Sequence, residues 1–350
     1  DPALSPLAPA LPGPPQRALV TGGGGFLGHA IVARLRAEGH AVRSLARGRY
    51  PEVEALGAEQ VQHDLADPAG LQAHLDGVDV VFHAASRTGV WGPREAFFRA
   101  NVDGTRHLLE AARAAGVRRF VYTSSPSATF DGRDAEGATE ADCPYPTHFH
   151  APYPESKAEA ERLVLAANGP AFATTALRPH LIWGPRDPHI LPRLVSRRRQ
   201  GRLVRVGPGT NKVGICYIDN AAVAHLQAAA VLQPGSPNAG KAYFLHDPDP
   251  VLLWPWIDQL LVAVGLPPVQ RSVSPGVAMA LGGLLEWVWR TFQRPGEPPM
   301  TRFVAAELAS SHWYDLSAAR RDFGYAPVVG PDEGLRRAVA WLKANPPAAV

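Results

Sequence analysis

The stretch "RALVTGGGGFLGHAIVARLRAEG", residues 17–39, decides the fold. Its first five residues form a short apolar run that reads as a strand. Its last fourteen, FLGHAIVARLRAEG, read as a helix stopped at Gly39. Between them Gly22, Gly25 and Gly28 stand in G-x-x-G-x-x-G spacing. Glycines there permit a tight turn and a close approach of backbone to a pyrophosphate, while the helix N-terminus adds N–H donors and the positive end of its dipole. A glycine-rich loop alone is weak evidence. One that lies between a strand and a helix, at the start of a βαβ series, has the context that dinucleotide binding requires.

The series continues along the chain. HAVRSLAR and EQVQHDL read as the second and third strands, and DPAGLQAHLDG as a helix capped by Asp67. VDVVFHAA reads as the fourth strand, and EAFFRANVDGTRHLLEAARAAG as one long helix ended by Gly116. VRRFVYTSS, a helix around Tyr153, and FATTALRPHLIWG follow. Strands alternating with helices imply an α/β fold, a Rossmann-type doubly wound parallel sheet with helices on both faces. Past Gly184 the pattern loosens. Residues 251–302 are apolar and rich in Pro and Trp, and are expected to form a smaller, mostly helical unit over the ligand-binding edge. The expected division is therefore a disordered Pro-rich leader over 1–16, a dinucleotide-binding domain over 17–184, and a substrate-binding region over 185–350 with some strands returning to the main sheet.

Composition sets limits. The chain has 350 residues and is 46% hydrophobic, enough for one large domain and a smaller one. Its 35 basic and 32 acidic residues leave a net charge of +3, and Arg197-Arg198-Arg199 is the one notable run of like charge. Nucleic acid is not an expected partner. Cys143 and Cys216 make neither a disulfide framework nor a zinc cluster, so no metal is expected and a reducing, cytoplasmic setting fits. The leader lacks the charged start and long apolar run of a signal peptide. The nearest approach to a membrane span is GVAMALGGLLEWVWRTF, residues 276–292, interrupted by Glu286. Peripheral contact with a membrane is kept as an expectation.

The second strand bears on which dinucleotide binds. An acidic residue near its end would hold a ribose 2′-hydroxyl, and an Arg would suit a 2′-phosphate. Here the strand ends VRSLARGRY: Ala46 takes the acidic position, with Arg47 next and Arg49 close by. A guanidinium binds phosphate bidentately where a carboxylate repels it. NADP(H) is the expected cofactor; the alternative is an Arg47 that merely faces solvent.

APYPESKAEAE, residues 151–161, holds Tyr153 and Lys157 four apart, on one face of a helix. By spacing alone this is as readily a surface Tyr stacked on a Lys stem. Yet only four of the basic residues are Lys: Lys157, Lys212, Lys241 and Lys343. A Lys kept in so Arg-rich a chain points to use of its compact, mobile ammonium.

TGGGGFLG, VYTSS and YPESK, in that order and at those separations, resemble the extended short-chain dehydrogenase/reductases. APYPESKAEAERLVLAANG resembles the catalytic segment of their 3β-hydroxysteroid dehydrogenase branch. GPGTNKVGICYIDNAAVAHL and GEPPMTRFVAAELASSHWYDLSAARRDFGYAP are closer still to the bacterial 2-alkyl-3-oxoalkanoate reductases of olefin biosynthesis. The likeness spans residues 17–342. It implies that Tyr153 protonates the substrate's carbonyl oxygen, that Lys157 lowers the Tyr pKa and hydrogen-bonds the nicotinamide ribose, and that Ser125 holds the carbonyl in line. Ser124 is the fallback, and either hydroxyl would otherwise only cap the strand end. It implies cofactor contacts from Gly22, Gly25, Phe26, Leu27 and Gly28 in the glycine loop, and from Asp64 and Leu65 at the adenine. Ala84, Ala85 and Ser86 would run along the cofactor backbone, Thr123 would join Tyr153 and Lys157, and Pro179 and Leu181 would reach the nicotinamide. Asn101 would brace the wall or a relay water.

The chemistry agrees with the resemblance. Hydride transfer to a ketone leaves a developing alkoxide that must be protonated. A free Tyr has a pKa of about 10, and a neighbouring ammonium and the cofactor's positive ring favour its phenolate, bringing it nearer to working pH. The departure at Ala46 and Arg47, where NAD-preferring relatives carry an acid, favours NADPH-driven reduction.

Three readings follow. The first is a reductase of 2-alkyl-3-oxoalkanoic acids to 2-alkyl-3-hydroxy acids. The second is a 3β-hydroxysteroid or sterol-4α-carboxylate 3-dehydrogenase. The third is a non-catalytic NADP(H)-binding regulator, against which the complete Ser-Tyr-Lys set stands. The partners implied are a large apolar keto acid, hydroxy acid or steroid, a second copy of the chain in a homodimer, and other enzymes of the pathway. The Trp-rich stretch has its own three readings: core packing, a membrane surface, or a pocket for long alkyl chains, the last being preferred.

Overall fold

A computed structural model describes residues 8–347. Seven strands make one sheet: β1 (Arg17–Thr21), β2 (Ala41–Ala46), β3 (Glu59–Gln62), β4 (Val80–His83), β5 (Arg119–Thr123), β6 (Ala173–Pro179) and β7 (Lys241–Leu245). Their order is β3-β2-β1-β4-β5-β6-β7, with every neighbouring pair parallel. The doubly wound α/β class expected from the sequence is the one observed. Side chains alternate between two cores. Ala18, Val20, Val80, Phe82 and Val121 enter one, while Leu19, Val81, Phe120 and Tyr122 enter the other. A sheet buried on both faces needs near-continuous apolar strands, and RALVT, VVFH and RFVYT supply them.

On the first face, α1 (Phe26–Ala37) sends Ile31, Val32 and Leu35 into the core beside Ala222 and Leu226 of α6 (Ile218–Val231). On the second face lie α3 (Gly104–Ala114) and α4 (Pro152–Ala166), through Leu108, Leu109, Ala160 and Val164. The strand order reverses between β1 and β4. That makes a crevice at the carboxyl ends of the strands, the usual ligand position in such sheets.

Two helices differ from expectation. The long one is broken: α2 (Arg94–Phe98) runs into a π turn (Arg99–Asp103) before α3. The other, expected to be capped by Asp67, is only a 3₁₀ turn (Leu71–Leu75) entered through Gly70 at φ 76°. The Asp67 carboxylate instead accepts from the Ala69 amide at 3.0 Å, which favours a turn over a helix start.

The leader also differs. Residues 1–7 lie outside the described residues, but Ala10 and Leu11 are buried. Their amides donate to the Glu38 carboxylate at 2.8 and 2.9 Å, and the Gln16 amide donates to His40 at 3.1 Å. A buried Leu and three anchored amides offset the disorder that Pro-rich composition predicts.

Past residue 184 come α5 (Ile190–Arg199), α6, α7 (Leu253–Ala263), α8 (Pro275–Thr291) and α9 (Arg302–Ala309). Short strands at Ala135–Ala138, Lys212–Val213, Val251–Leu252 and His312–Tyr314 form a second, four-stranded sheet. The Trp-rich stretch divides. Trp254 and Trp256 of α7 are buried in the main core, so core packing describes that helix. In α8, Val277, Leu281, Leu284 and Trp287 are exposed.

Candidate active site

A cleft of about 710 Å³ opens at the carboxyl ends of the central strands. Its floor is the glycine loop. Gly22 holds φ 71°, and a Cβ there would come within 2.9 Å of the Ala85 Cα; a Cβ on Gly28 would lie 2.0 Å from the Gly22 carbonyl oxygen. Only glycine permits this packing of loop on helix. The first-turn amides of α1 have no intrahelical acceptor and no acidic neighbour. Gly22, Gly25, Phe26, Leu27 and Gly28 all line the cleft.

The rest of the wall comes from strand ends. Ala84, Ala85 and Ser86 follow β4, and the Ala85 amide donates to the Thr21 hydroxyl at 3.0 Å. Behind them His83 sits between the hydroxyls of Thr21 (2.7 Å) and Thr105 (2.8 Å). Burial, then the Lys157 charge, push its pKa down to about 3, so it is neutral. Arg47, Asp64 and Leu65 line the cleft's other end. Arg47 is exposed and has no carboxylate partner among the described residues; only its backbone carbonyl is engaged, by Gln62 at 3.2 Å. Asp64 accepts from the Ala66 amide at 3.0 Å and lies 3.9 Å from Arg99.

Ser125, Tyr153, Lys157, Thr123, Pro179 and Leu181 gather on one side. Tyr153 and Lys157 project from α4, which begins with Pro152 at its first position. Ser125 caps the short turn Pro126–Thr129, accepting from the Ser127 amide at 3.2 Å and its hydroxyl at 2.8 Å. It also faces the Tyr153 phenol. Ser124 lines the cleft as well, with its hydroxyl directed toward the buried Glu161 carboxylate.

The electrostatics differ from the sequence reading. Burial pushes the Tyr153 pKa up to about 12; hydrogen bonding with Ser125 lowers it in part, and the Glu307 carboxyl raises it further. The Lys157 ammonium does not point at the phenol. It is buried, donates to the Thr123 carbonyl at 2.6 Å, and sits 4.5 Å over the Tyr122 ring. Burial lowers its pKa to about 7, with Glu161 one turn on acting in the opposite direction. Glu161 itself is fully buried and clamped by Arg178 at 2.9 and 2.5 Å. Tyr145 donates to it at 2.5 Å. Arg178 and Tyr145 hold that carboxyl ionised, below its ordinary pKa despite burial.

Asn101, expected to brace the wall or to join the cofactor contacts, takes the bracing place and does not line the cleft. The π turn aims its side chain behind the wall, where it accepts from the Arg87 amide (2.7 Å) and donates to the Arg87 carbonyl (3.0 Å) and the Ser156 hydroxyl (2.9 Å). It ties the 87–93 loop to α4.

Other residues of the site have weaker signals or none. Tyr50 lies over Gly24, where a Cβ would meet its ring at 2.5 Å. Asp187 caps α5 from the cleft wall, accepting from three amides at 2.8 to 3.1 Å; an Asp just before a helical run was a readable cue. Leu181 holds φ 50°, a strained position of the kind that gathers at functional sites. Glu307 finds no cation among the described residues, and burial lifts its pKa to about 7. No motif announced it.

Comparison with known proteins agrees with this geometry. The model of the "3-beta hydroxysteroid dehydrogenase/isomerase family" matches residues 19–274. A "2-alkyl-3-oxoalkanoate reductase" of Stenotrophomonas maltophilia is 48% identical over 323 residues, 92% of this chain and 98% of that protein. A protein of the same name from Shewanella oneidensis is 46% identical, over 93% of this chain and 86% of its own length. Among solved structures, "MoeE5 in complex with UDP-glucose and NAD" superposes with a TM-score of 0.71 at 25% identity, covering 94% of this chain and 99% of the other.

Proposed function

The chain belongs to the 3-beta hydroxysteroid dehydrogenase/isomerase family, and from that premise we propose that it is an NADPH-dependent reductase of 2-alkyl-3-oxoalkanoic acids. The product is the 2-alkyl-3-hydroxy acid. One observation carries the reading: Ser125, Tyr153 and Lys157 converge on the wall of a dinucleotide-shaped cleft, in a chain nearly half identical to reductases of that name.

The residues present fit a dinucleotide. The glycine floor leaves no room for a Cβ, the α1 amides are open to a pyrophosphate, and Arg47 is free to meet a 2′-phosphate. Bound NADPH supplies the hydride. Tyr153 gives its phenolic proton to the carbonyl oxygen, and Ser125 donates a hydrogen bond that holds that oxygen. A phenol held at about 12 is fully protonated at neutral pH. In that form it can act as the acid that the reduction requires. Lys157, fixed by Thr123, places positive charge beneath the site while it stays protonated.

The reading keeps the division near residue 184, with the cofactor before it and most of the substrate site after it. It includes a homodimer and a cytoplasmic enzyme, the latter supported by the unpaired Cys143 and Cys216. Peripheral membrane contact is supported by the exposed apolar face of α8. Among the described residues no helix is long and apolar enough to cross a membrane.

Following NADPH oxidation with a panel of 2-alkyl-3-oxo acids and 3-ketosteroids tests the proposal. Turnover of the acids is expected. Turnover of steroids alone would hand the chain to the steroid reading.

A further inference from the structure

A second cleft, of about 500 Å³, is built in part from segments that also line the first. Its size is within the range that buries a whole small ligand. Val90 and Trp91 line it, while Arg87 and Thr88 of the same loop line the cofactor cleft. Ala151 and Pro152 line it, while the next residue, Tyr153, lines the cofactor cleft. Segments 87–93 and 151–153 therefore contribute to both clefts, and Tyr153 is next in the chain to the second cleft's lining.

Trp91, Trp289 and Phe303 give the second cleft aromatic walls. Its rim is cationic. Arg290 lies 5.2 Å over the Trp91 ring, bridging α8 to the loop, and Arg294 lies 5.4 Å over Trp289. Neither guanidinium has a carboxylate partner among the described residues, while Glu286, the acid of the lining, is held by Arg302 at 2.8 Å. Aromatic walls behind unpaired cations, with His150 and Gln293 also in the lining, suit an amphiphile with an anionic head, since the cations draw it in and the rings take its hydrocarbon. A neutral steroid gains nothing from such a rim.

We propose that this cleft holds one of the two hydrocarbon branches of the 3-oxo acid, entered past Arg290 and Arg294. The inference rests on the reductase reading above. The two branches of such an acid leave adjacent carbons. With the carbonyl at Tyr153, they diverge beside the 151–153 segment that serves both clefts, and one of them can take the space behind Trp289. Trp289 and Phe303 then set the accepted chain length.

The test uses the full chain with NADPH and 2-alkyl-3-oxo acids in which the two branches are lengthened one at a time. For wild type, kcat/KM should rise by at most about fourfold per added CH₂ and then level off. Val90→Trp, which fills the cleft, should lower the long-to-short ratio by about tenfold or more, the worth of about two methylenes. The fall should appear for one branch and not the other, and in KM more than in kcat. Trp289→Ala, which opens the wall, should move the plateau to longer chains. If both variants stay folded and active and neither the ratio nor the plateau moves, the inference is wrong and the reductase reading stands. If wild type reduces no 3-oxo acid of any length, the reading fails and takes the inference with it.

Discussion

The two clefts draw on the same two segments, 87–93 and 151–153, and are built from different materials. The cofactor cleft is made of backbone and small residues: Gly22 and Gly28 in the loop, Ala84 and Ala85 after β4. Sheet register and a few glycines fix it. The second cleft is made of large side chains, Trp91, Trp289 and Phe303, carried by a loop and two helices. The first kind tolerates little change, because no alternative residue fits where a Cβ would lie 2.0 Å from a carbonyl oxygen. The second kind can be reshaped one side chain at a time. A fold that keeps its cofactor and changes its substrate needs both.

The sharpest test of the division lies in α7. Trp254 belongs to the same apolar stretch as Trp289 but is only 1% exposed and packs in the main core. Trp254→Ala should cost about 3–5 kcal/mol of stability, the range for a large aromatic lost from a core. Denaturant unfolding measures it. A loss below about 1 kcal/mol would mean that the side chain faces a cavity rather than packed neighbours.

The next effect belongs to the shared 151–153 segment. Tyr153→Phe keeps the ring against Phe97, whose centroid is 6.5 Å away, and removes the proton donor. kcat should fall about 10²-fold or more, the usual scale for general acid catalysis, while NADPH affinity stays nearly intact. Retention of more than about a tenth of wild-type kcat would remove Tyr153 from its role.

The same contrast explains what the sequence disclosed. The first six strands and the glycine loop were readable because apolar runs and glycine spacing act locally. Sixteen of the seventeen expected cofactor residues line the cleft, since each sits at a strand end or in a motif that fixes its direction. The exception, Asn101, lies on a π turn, and the one-residue shift that aims it behind the wall has no periodicity signal. The electrostatics of the pair were hidden for a related reason. Helix spacing placed Tyr153 and Lys157 on one face, but which acceptor the ammonium finds depends on the Thr123 carbonyl, a tertiary fact. Trp254, Trp287 and Trp289 look alike in sequence, yet one is core, one exposed and one cleft wall.

Arg47 tests the cofactor cleft at an exposed side chain. Arg47→Ala should weaken NADPH binding roughly 10- to 150-fold, the worth of a charge-assisted hydrogen bond at about 1.5–3 kcal/mol. NADH binding should barely change. Equal effects on both cofactors would mean that the phosphate does not reach Arg47 and that the expected discrimination lies elsewhere.

The smallest effect is expected two residues from the cleft wall. Residues 287 and 289 are separated by about 200° around a helix. While Trp289 faces the cleft, Trp287 stands 58% exposed beside Phe292, with ring centroids 6.4 Å apart. An exposed side chain away from caps and networks contributes little, so Trp287→Ser should change stability by no more than about 0.5 kcal/mol. Turnover of soluble, short-chain acids should be unaffected, because no atom of Trp287 lines either cleft. What should change is cosedimentation with anionic vesicles, because the substitution removes an aromatic anchor from the apolar face of α8. If wild type and variant sediment alike, the face does not touch lipid. If instead the variant loses more than about 2 kcal/mol, Trp287 is buried in solution. The apolar face of α8 would then be covered by a second copy of the chain, and the contrast between the two tryptophans would be one of assembly rather than of fold.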